Sequence, residues 1–423
     1  VSGAVALLAL ACILAAIWPF AGVLGIAASL WILPLIPMNV VVSDIRPDEL
    51  LLLASLAGAA VRLAVRRDYK PTGVERAFLI FLALAVASAV LKIVFGADAS
   101  LRAMALPLAR QALHLALFML VVWAVGARPG RLNAVAVTSA VAAVASSLLG
   151  IAQYYSGPVH SWIARTYPTL DGGFTYPYVP GGEGFRSMSA FDGNPNHFGV
   201  ALVMMALFSA AMAQRSRTTR ERLAWAAGSL VMLTAVLYTT SRASFLTAAG
   251  LLVLAFLFRQ RIFGWVAAAW MALMAVLPNK MPARLLDLLG TTTGTGEVVP
   301  DPSVSGRIDM ASDGMKGAPA ALPMHDNFYL DLFHNFGVLS LAGFTWLLWA
   351  VGSRLWRAVR QYPASPGYLP GALLAWIALA GVSLTGGFFA TQRVAEVCWI
   401  LVALAFAWIA QASAGPASAE LAE

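Results

Sequence analysis

Long apolar runs separated by short polar connections repeat along nearly the whole chain. The runs at 50 to 65, 77 to 95, 104 to 125, 133 to 155, 196 to 213, 223 to 239, 243 to 258, 262 to 277, 328 to 352, 368 to 386 and 394 to 412 approach or exceed a membrane-crossing length. A hydrocarbon layer of about 30 Å needs roughly 20 residues of helix. Residues 1 to 36 add an uncharged run broken by Trp18-Pro19-Phe20 and Pro34, which predicts either one broken helix or a short hairpin. The expected fold is all-α: a polytopic membrane helix bundle of about twelve transmembrane helices, with thirteen as the alternative. No polar stretch is long enough for a separate soluble domain, so residues 1–423 read as a single integral-membrane domain. No basic segment precedes the first run, and no cleaved signal peptide is expected.

Charge orients these runs. The connections at 62 to 76, 126 to 131, 214 to 222, 259 to 261 and 354 to 360 alternate with the others and hold 16 of the 28 Lys and Arg, against only Asp68, Glu75 and Glu221. The positive-inside rule puts them on the cytoplasmic side, with the loops at 156 to 195 and 278 to 327 facing outward. Loops of that length between membrane helices are functional or disordered. The first is rich in aromatics, with Arg165 and Arg186, which suits the headgroup level. The second opens with MPARLLDLL, a candidate interfacial helix, and ends in HDNFYLDLFHNFG. Residues 413–423 read as a disordered cytoplasmic tail.

Composition narrows the class. With 60% hydrophobic and 11% charged residues and a mean hydropathy of +0.78, the chain has too little polar surface for a soluble globule of its length. The net charge of +8 is spread over short connections and reflects topology, so no nucleic-acid partner is expected. Cys12 and Cys398 sit in separate apolar runs, offering neither a metal pattern nor an obvious disulfide.

Candidate chemistry concentrates on the outward side. His325-Asp326-Asn327-Phe328-Tyr329 lies where the second long loop enters a span, with His325 and Tyr329 one helical turn apart. An imidazole titrating near 6.5 can take a proton from a sugar hydroxyl. The alternative is a capping segment in which Asp326 or Asn327 satisfies free helix N–H groups. Arg242, in Ser241-Arg242-Ala243-Ser244, sits on so short a connection that it lies at or in the membrane, where a cation costs at least about 2.5 kcal/mol without a partner. It either holds an anion such as a diphosphate or snorkels to the headgroups.

Arg186 precedes Asp192-Gly193-Asn194-Pro195-Asn196-His197 and is a second diphosphate candidate. Asn194-Pro195-Asn196 reads as a helix-start turn, and His197 as a structural side chain more than a base. Arg307, Gln392 and Arg393 are further candidates for anion or sugar contacts, or ordinary surface groups. Arg110 and His114 share a helix face with Gln111 nearby, either lining a lipid-headgroup cleft or making a structural contact. Asp331 and His334 read as supporting groups behind His325. Phosphate-binding Gly-rich loops, HExxH, a paired DxD and a Gly-x-Ser-x-Gly elbow do not occur, so no metal and no cofactor are expected. The scarcity of Asp and Glu inside the spans weakens a coupled-transporter reading.

The order of these elements, an outer Arg before Asn-Pro-Asn, then SRAS, then a large outer loop ending in HDNFYLDLFHNFG, resembles the O-antigen ligase and polymerase superfamily. The likeness covers mainly residues 185 to 345 and leans to the ligase branch. It implies a GT-C-like membrane glycosyltransferase, independent of metal. Such an enzyme moves a glycan from undecaprenyl diphosphate to a sugar hydroxyl of lipid A-core. On that resemblance His325 is the general base, Arg186 and Arg242 hold the diphosphate, and Arg307 matches a further family arginine. Asp326, Asn327, Tyr329, Asn194, Asn196, Arg110, His114, Gln392 and Arg393 are supporting candidates. The same parts would serve a polymerase or a protein O-oligosaccharyltransferase. A non-catalytic lipid or glycan transporter is the reading from another class.

Overall fold

The computed structural model of the chain describes residues 2–33, 38–40, 42–66, 69–95, 101–126, 128–166, 186–258, 260–286, 291–292, 298–299 and 327–413. The described residues are all-helical apart from two short antiparallel ladders, Met38–Val40 with Val42–Ile45 and Thr291–Thr292 with Val298–Val299. Among the described residues seven helices are long and apolar enough to cross a membrane: Val74–Val94 (α4), α5 over Met104–Gly126, α6 over Gly130–Tyr155, Pro195–Arg215 (α8), Thr219–Thr239 (α9), Val338–Gln361 (α14) and Gln392–Ser413 (α16). Shorter apolar helices accompany them, namely Ser2–Ile17 (α1), Pro19–Ile32 (α2), Arg242–Leu257 (α10), Arg261–Val276 (α11) and Tyr368–Val382 (α15), together with Pro47–Arg66 (α3). The chain is therefore a polytopic helical membrane protein.

Local signals account for the breaks. The first run divides at Trp18, where Pro19 opens α2 as the first residue of a helix, a position that loses no hydrogen bond. The short helix expected in MPARLLDLL forms as Met281–Leu286 (α12), and Gly157–Thr166 (α7) adds another at the start of the first long loop. The run expected to continue from 328 to 352 is instead two helices, Phe328–Phe336 (α13) and α14. They meet at Gly337, whose φ of 93° lies in the left-handed region that glycine enters without a Cβ penalty.

Helix α8 forms the centre. Of its membrane-length window 89% is buried, and it packs against α9, α10, α15 and α16. Small residues permit this. A Cβ on Gly371 of α15 would meet the Phe208 ring at 2.8 Å, and one on Gly199 would meet Ser244 Oγ at 2.7 Å. Beside it Trp399 of α16 packs on Phe78 (5.1 Å), Trp376 (5.1 Å) and Phe118 (5.9 Å), joining α4, α15 and α5.

The connections gather at two ends. One end holds the start of α3, the residues before α8, the α9–α10 turn, the start of α13 and the start of α16. The other holds the α3–α4 and α8–α9 connections and the last turns of α14 and α16.

Candidate functional site

The segment from Arg186 to Asn194 folds onto the first of these ends through its own polar groups. Ser187 N–H donates to Tyr238 O (2.9 Å), and the N–H groups of Met188 and Ser189 both donate to Gln153 Oε1 (3.0 and 2.9 Å). Ser189 takes a φ of 51° there. Asn194 N–H donates to Asp192 Oδ1 (3.0 Å), and Asn194 Oδ1 caps α8 by accepting from Asn196 N–H (2.8 Å). With Pro195 at the first helical position, the expected helix-start turn is formed.

Arg186 is buried inside this fold-back. Its Nε donates to Thr239 O (2.9 Å) and its Nη2 to Asn196 Oδ1 (2.8 Å). Thr239 ends α9 just before Arg242, which opens α10 behind the Ser241 cap. The two arginines of the diphosphate reading thus belong to one corner of the bundle. His197 is tied on both sides, its Nδ1 2.6 Å from Asp192 Oδ2 and its Nε2 3.3 Å from Thr391 Oγ1, with its side chain 26% exposed. Sequence reasoning gave His197 a structural role. The paired contacts also fit a carboxylate-oriented imidazole whose second nitrogen faces a hydroxyl.

The second long loop enters the same end. Asn327 caps α13, its Oδ1 accepting from Tyr329 N–H (2.9 Å) and Leu330 N–H (3.2 Å), which is the capping alternative read from the sequence. Phe328 N–H donates to Ser383 O (3.1 Å), and its ring packs on Phe344 (4.9 Å) and Phe389 (5.6 Å). Phe388, the next residue back, lies 5.8 Å from the His197 ring. Tyr329 donates its hydroxyl to Ala380 O (2.8 Å), and burial pushes its pKa up to about 12, so it stays protonated near neutral pH. His325, Asp326 and Arg307 lie outside the described residues.

Gln392 and Arg393 do not occupy a solvated loop. They form the first turn of α16 and are buried, Arg393 to 1% exposure. Arg393 donates to Phe191 O and to Ala190 O (3.3 Å), and to Leu33 O (3.0 Å), with Asp48 Oδ1 3.5 Å away. Gln392 donates to Glu49 Oε1. His114 is also buried, its Nδ1 3.4 Å from Gln111 Oε1, while Gln111 donates to Phe389 O at 3.4 Å. Arg110, on the same helix, is half-buried.

These residues border a buried ionic network that sequence reasoning missed. Arg46 Nη2 lies 2.8 Å from Asp48 Oδ2 and 2.9 Å from Glu396 Oε1, and Glu49 Oε2 accepts from Arg46 N–H (2.8 Å). The last contact is the reciprocal half of a capping box at the start of α3, with Pro47 at the first helical position. Burial works against the Arg46 guanidinium, but Glu396, Asp48 and Glu49 outweigh it and hold its pKa above the ordinary value. Two signals pointed here: Arg-Pro-Asp-Glu at the head of an apolar run, and Glu396 as a lone acid within another.

No protein-family model and no curated protein matches the chain.

Proposed function

We propose that the chain is a metal-independent, inverting glycosyltransferase of the O-antigen ligase kind. It would be a GT-C-like bundle of about twelve spans in a bacterial inner membrane, with its site on the periplasmic face. The donor is a glycan on undecaprenyl diphosphate and the acceptor a sugar hydroxyl of lipid A-core, both drawn from the membrane. His325 takes the proton of the acceptor hydroxyl, and that oxygen attacks the anomeric carbon. The bond from that carbon to the diphosphate breaks, and the departing charge falls to Arg186, Arg242 and Arg307. Asn196 fixes the Arg186 fork, and the Asn194 cap fixes Asn196. Asn327 and Tyr329 hold the start of α13, and Asp326 adjoins the base. Arg110, His114, Gln392 and Arg393 support the frame beneath.

The observation that carries this reading is the Arg186 corner. A buried guanidinium is anchored by Thr239 O and Asn196 Oδ1, just ahead of Arg242 and at the end where α13 begins. Planar forks of this kind match phosphate oxygens. The test is transfer by purified protein supplied with lipid-linked glycan and, separately, lipid A-core, glycan lipid or peptide. Modified lipid A-core supports the ligase, and a modified glycan or peptide assigns a polymerase or a protein O-oligosaccharyltransferase. His325→Ala should retain donor binding and lose about 10²- to 10⁴-fold in turnover. A glycosylated protein intermediate rules out direct attack.

A non-catalytic transporter is the second reading, and the buried carboxylates Asp48, Glu49 and Glu396 favour it, because ionisable groups within membrane segments mark ion and proton paths. The contacts of Asp48 and Glu396 with Arg46 weigh against it. Under that reading His325→Ala leaves transport intact.

A further inference from the structure

A cavity of about 560 Å³ opens at the end of the bundle away from Arg186. One wall is the connection between α3 and α4, with Lys70. The second is the end of α14, with Arg354 and Arg357, and the third is the end of α16, with Phe406 and Ile409. We propose that this cavity binds the phosphate-bearing headgroup of an anionic lipid from the adjacent leaflet. The inference stands on the membrane fold and is independent of the transfer reading.

Three observations support it. The cations come from two separate segments yet line one space, and among the described residues no carboxylate lines it. Among the described residues the acid nearest Lys70 in sequence, Glu75, accepts from Tyr69 Oη, from Thr72 N–H (3.0 and 3.1 Å) and from Thr72 Oγ1 (3.0 Å). It is engaged within its own turn. Cations in the last turn of a helix also serve the negative end of the helix dipole, which suffices for Arg360 on α14. It does not explain Lys70, which belongs to no helix.

The second observation is the disposition of the arginines. Arg354 Nη1 donates to Ala350 O (3.2 Å) and Arg357 Nε to Ser353 O (3.2 Å). Each bond runs one turn back along α14 and engages one nitrogen of a fork that carries five N–H donors. Basic pockets between membrane helices bind lipid phosphates by such forks. The third observation distinguishes a lipid from a soluble phosphate. The α16 wall is mostly apolar, with Phe406, Ile409 and Ala410 beside Ser413, and Trp356, between the two arginines in sequence, is 48% exposed. An exposed Trp beside cations at a helix end marks the headgroup level, and an apolar wall suits the first carbons of an acyl chain.

The experiment uses the full chain in nanodiscs and reads bound lipid by native mass spectrometry after exchange between phosphatidylglycerol and phosphatidylcholine. The test variant is Lys70→Gln/Arg354→Gln/Arg357→Gln. A control, Arg217→Gln/Arg220→Gln/Arg222→Gln, removes equal charge from the α8–α9 connection and the start of α9 at the same end. A charge-assisted hydrogen bond to a phosphate is worth on the order of tenfold in binding, so loss of the two arginine forks should cost the test variant on the order of 100-fold of the preference for phosphatidylglycerol. The control should keep that preference within about fivefold. Size-exclusion profiles and thermal unfolding establish that both variants are folded. Equal loss in both variants, or no preference in the wild type, overturns the pocket. Displacement of phosphatidylglycerol by millimolar glycerol phosphate overturns the lipid as the ligand.

Discussion

Replacing Arg46 by Met tests whether the ionic network is a dry, structural element. The substitution removes the guanidinium that reaches Asp48 at 2.8 Å and Glu396 at 2.9 Å, and leaves the backbone bond from residue 46 to Glu49 in place. Among the described residues, the cation then left beside these two buried carboxylates is Arg393, 3.5 Å from Asp48. Removing one partner of a buried ion pair typically costs about 3–5 kcal/mol, because the remaining charge is desolvated without compensation. Replacing both partners by apolar side chains of similar volume is often neutral. Arg46→Met should therefore lose about 3–5 kcal/mol of unfolding free energy, and Arg46→Met/Glu396→Met should recover more than half of that loss. Unfolding in mixed micelles with increasing dodecyl sulfate, followed by tryptophan fluorescence, reads both values. A single-variant loss under about 1 kcal/mol would mean that water reaches the network and screens it, as at an exposed pair. A double variant no better than the single would refute pairing between these two groups.

Arg186→Lys keeps the charge but cannot reproduce a fork held by both Thr239 O and Asn196 Oδ1. Charged hydrogen bonds contribute about 1.5–3 kcal/mol, so in the proposed transfer reaction the rate should fall about 10- to 100-fold, and an unchanged initial rate would sink the fork argument. Asn327→Ala removes the cap of α13 at a cost of about 1 kcal/mol, and amide exchange at Tyr329 and Leu330 should quicken about fivefold. His160 of α7 faces Gln153 at 3.3 Å, and burial lowers its pKa below the unfolded value. Its contribution to stability is thus present above about pH 6.5 and is lost as pH falls through the folded value. The melting temperature should drop between pH 8 and 5.5 in the wild type and drop less in His160→Gln, whereas parallel curves would exclude this histidine.

The helical rhythm was readable because every span needs a run of apolar residues, and capping chemistry is local. Asn194-Pro195-Asn196 announced the start of α8 within one residue, and MPARLLDLL announced α12. Gly337 was not read as a break because a glycine inside an apolar run is compatible with a continuing helix. Its left-handed backbone divides α13 from α14, at a place where a Cβ would meet Ser88 Oγ at 2.8 Å. The ionic network was harder to read. Arg46 and Glu396 are 350 residues apart, and no periodicity relates them. Gln392 and Arg393 resembled loop groups for the same reason, since what buries them is a segment from elsewhere in the chain. The corner shared by Arg186 and Arg242 depends on a fold-back whose bonds run to Gln153, Tyr238 and Thr239, contacts that a linear motif does not record.

Helix α8 has little contact with lipid because its neighbours sheathe it. A bilayer that thickens or thins acts on helices through their lipid-facing length, and that stress falls on the outer members of the bundle. Asn196 and His197 thus sit on the member of the bundle that membrane thickness reaches least, while Thr239 ends a helix only half of whose membrane-length window, 50%, is buried.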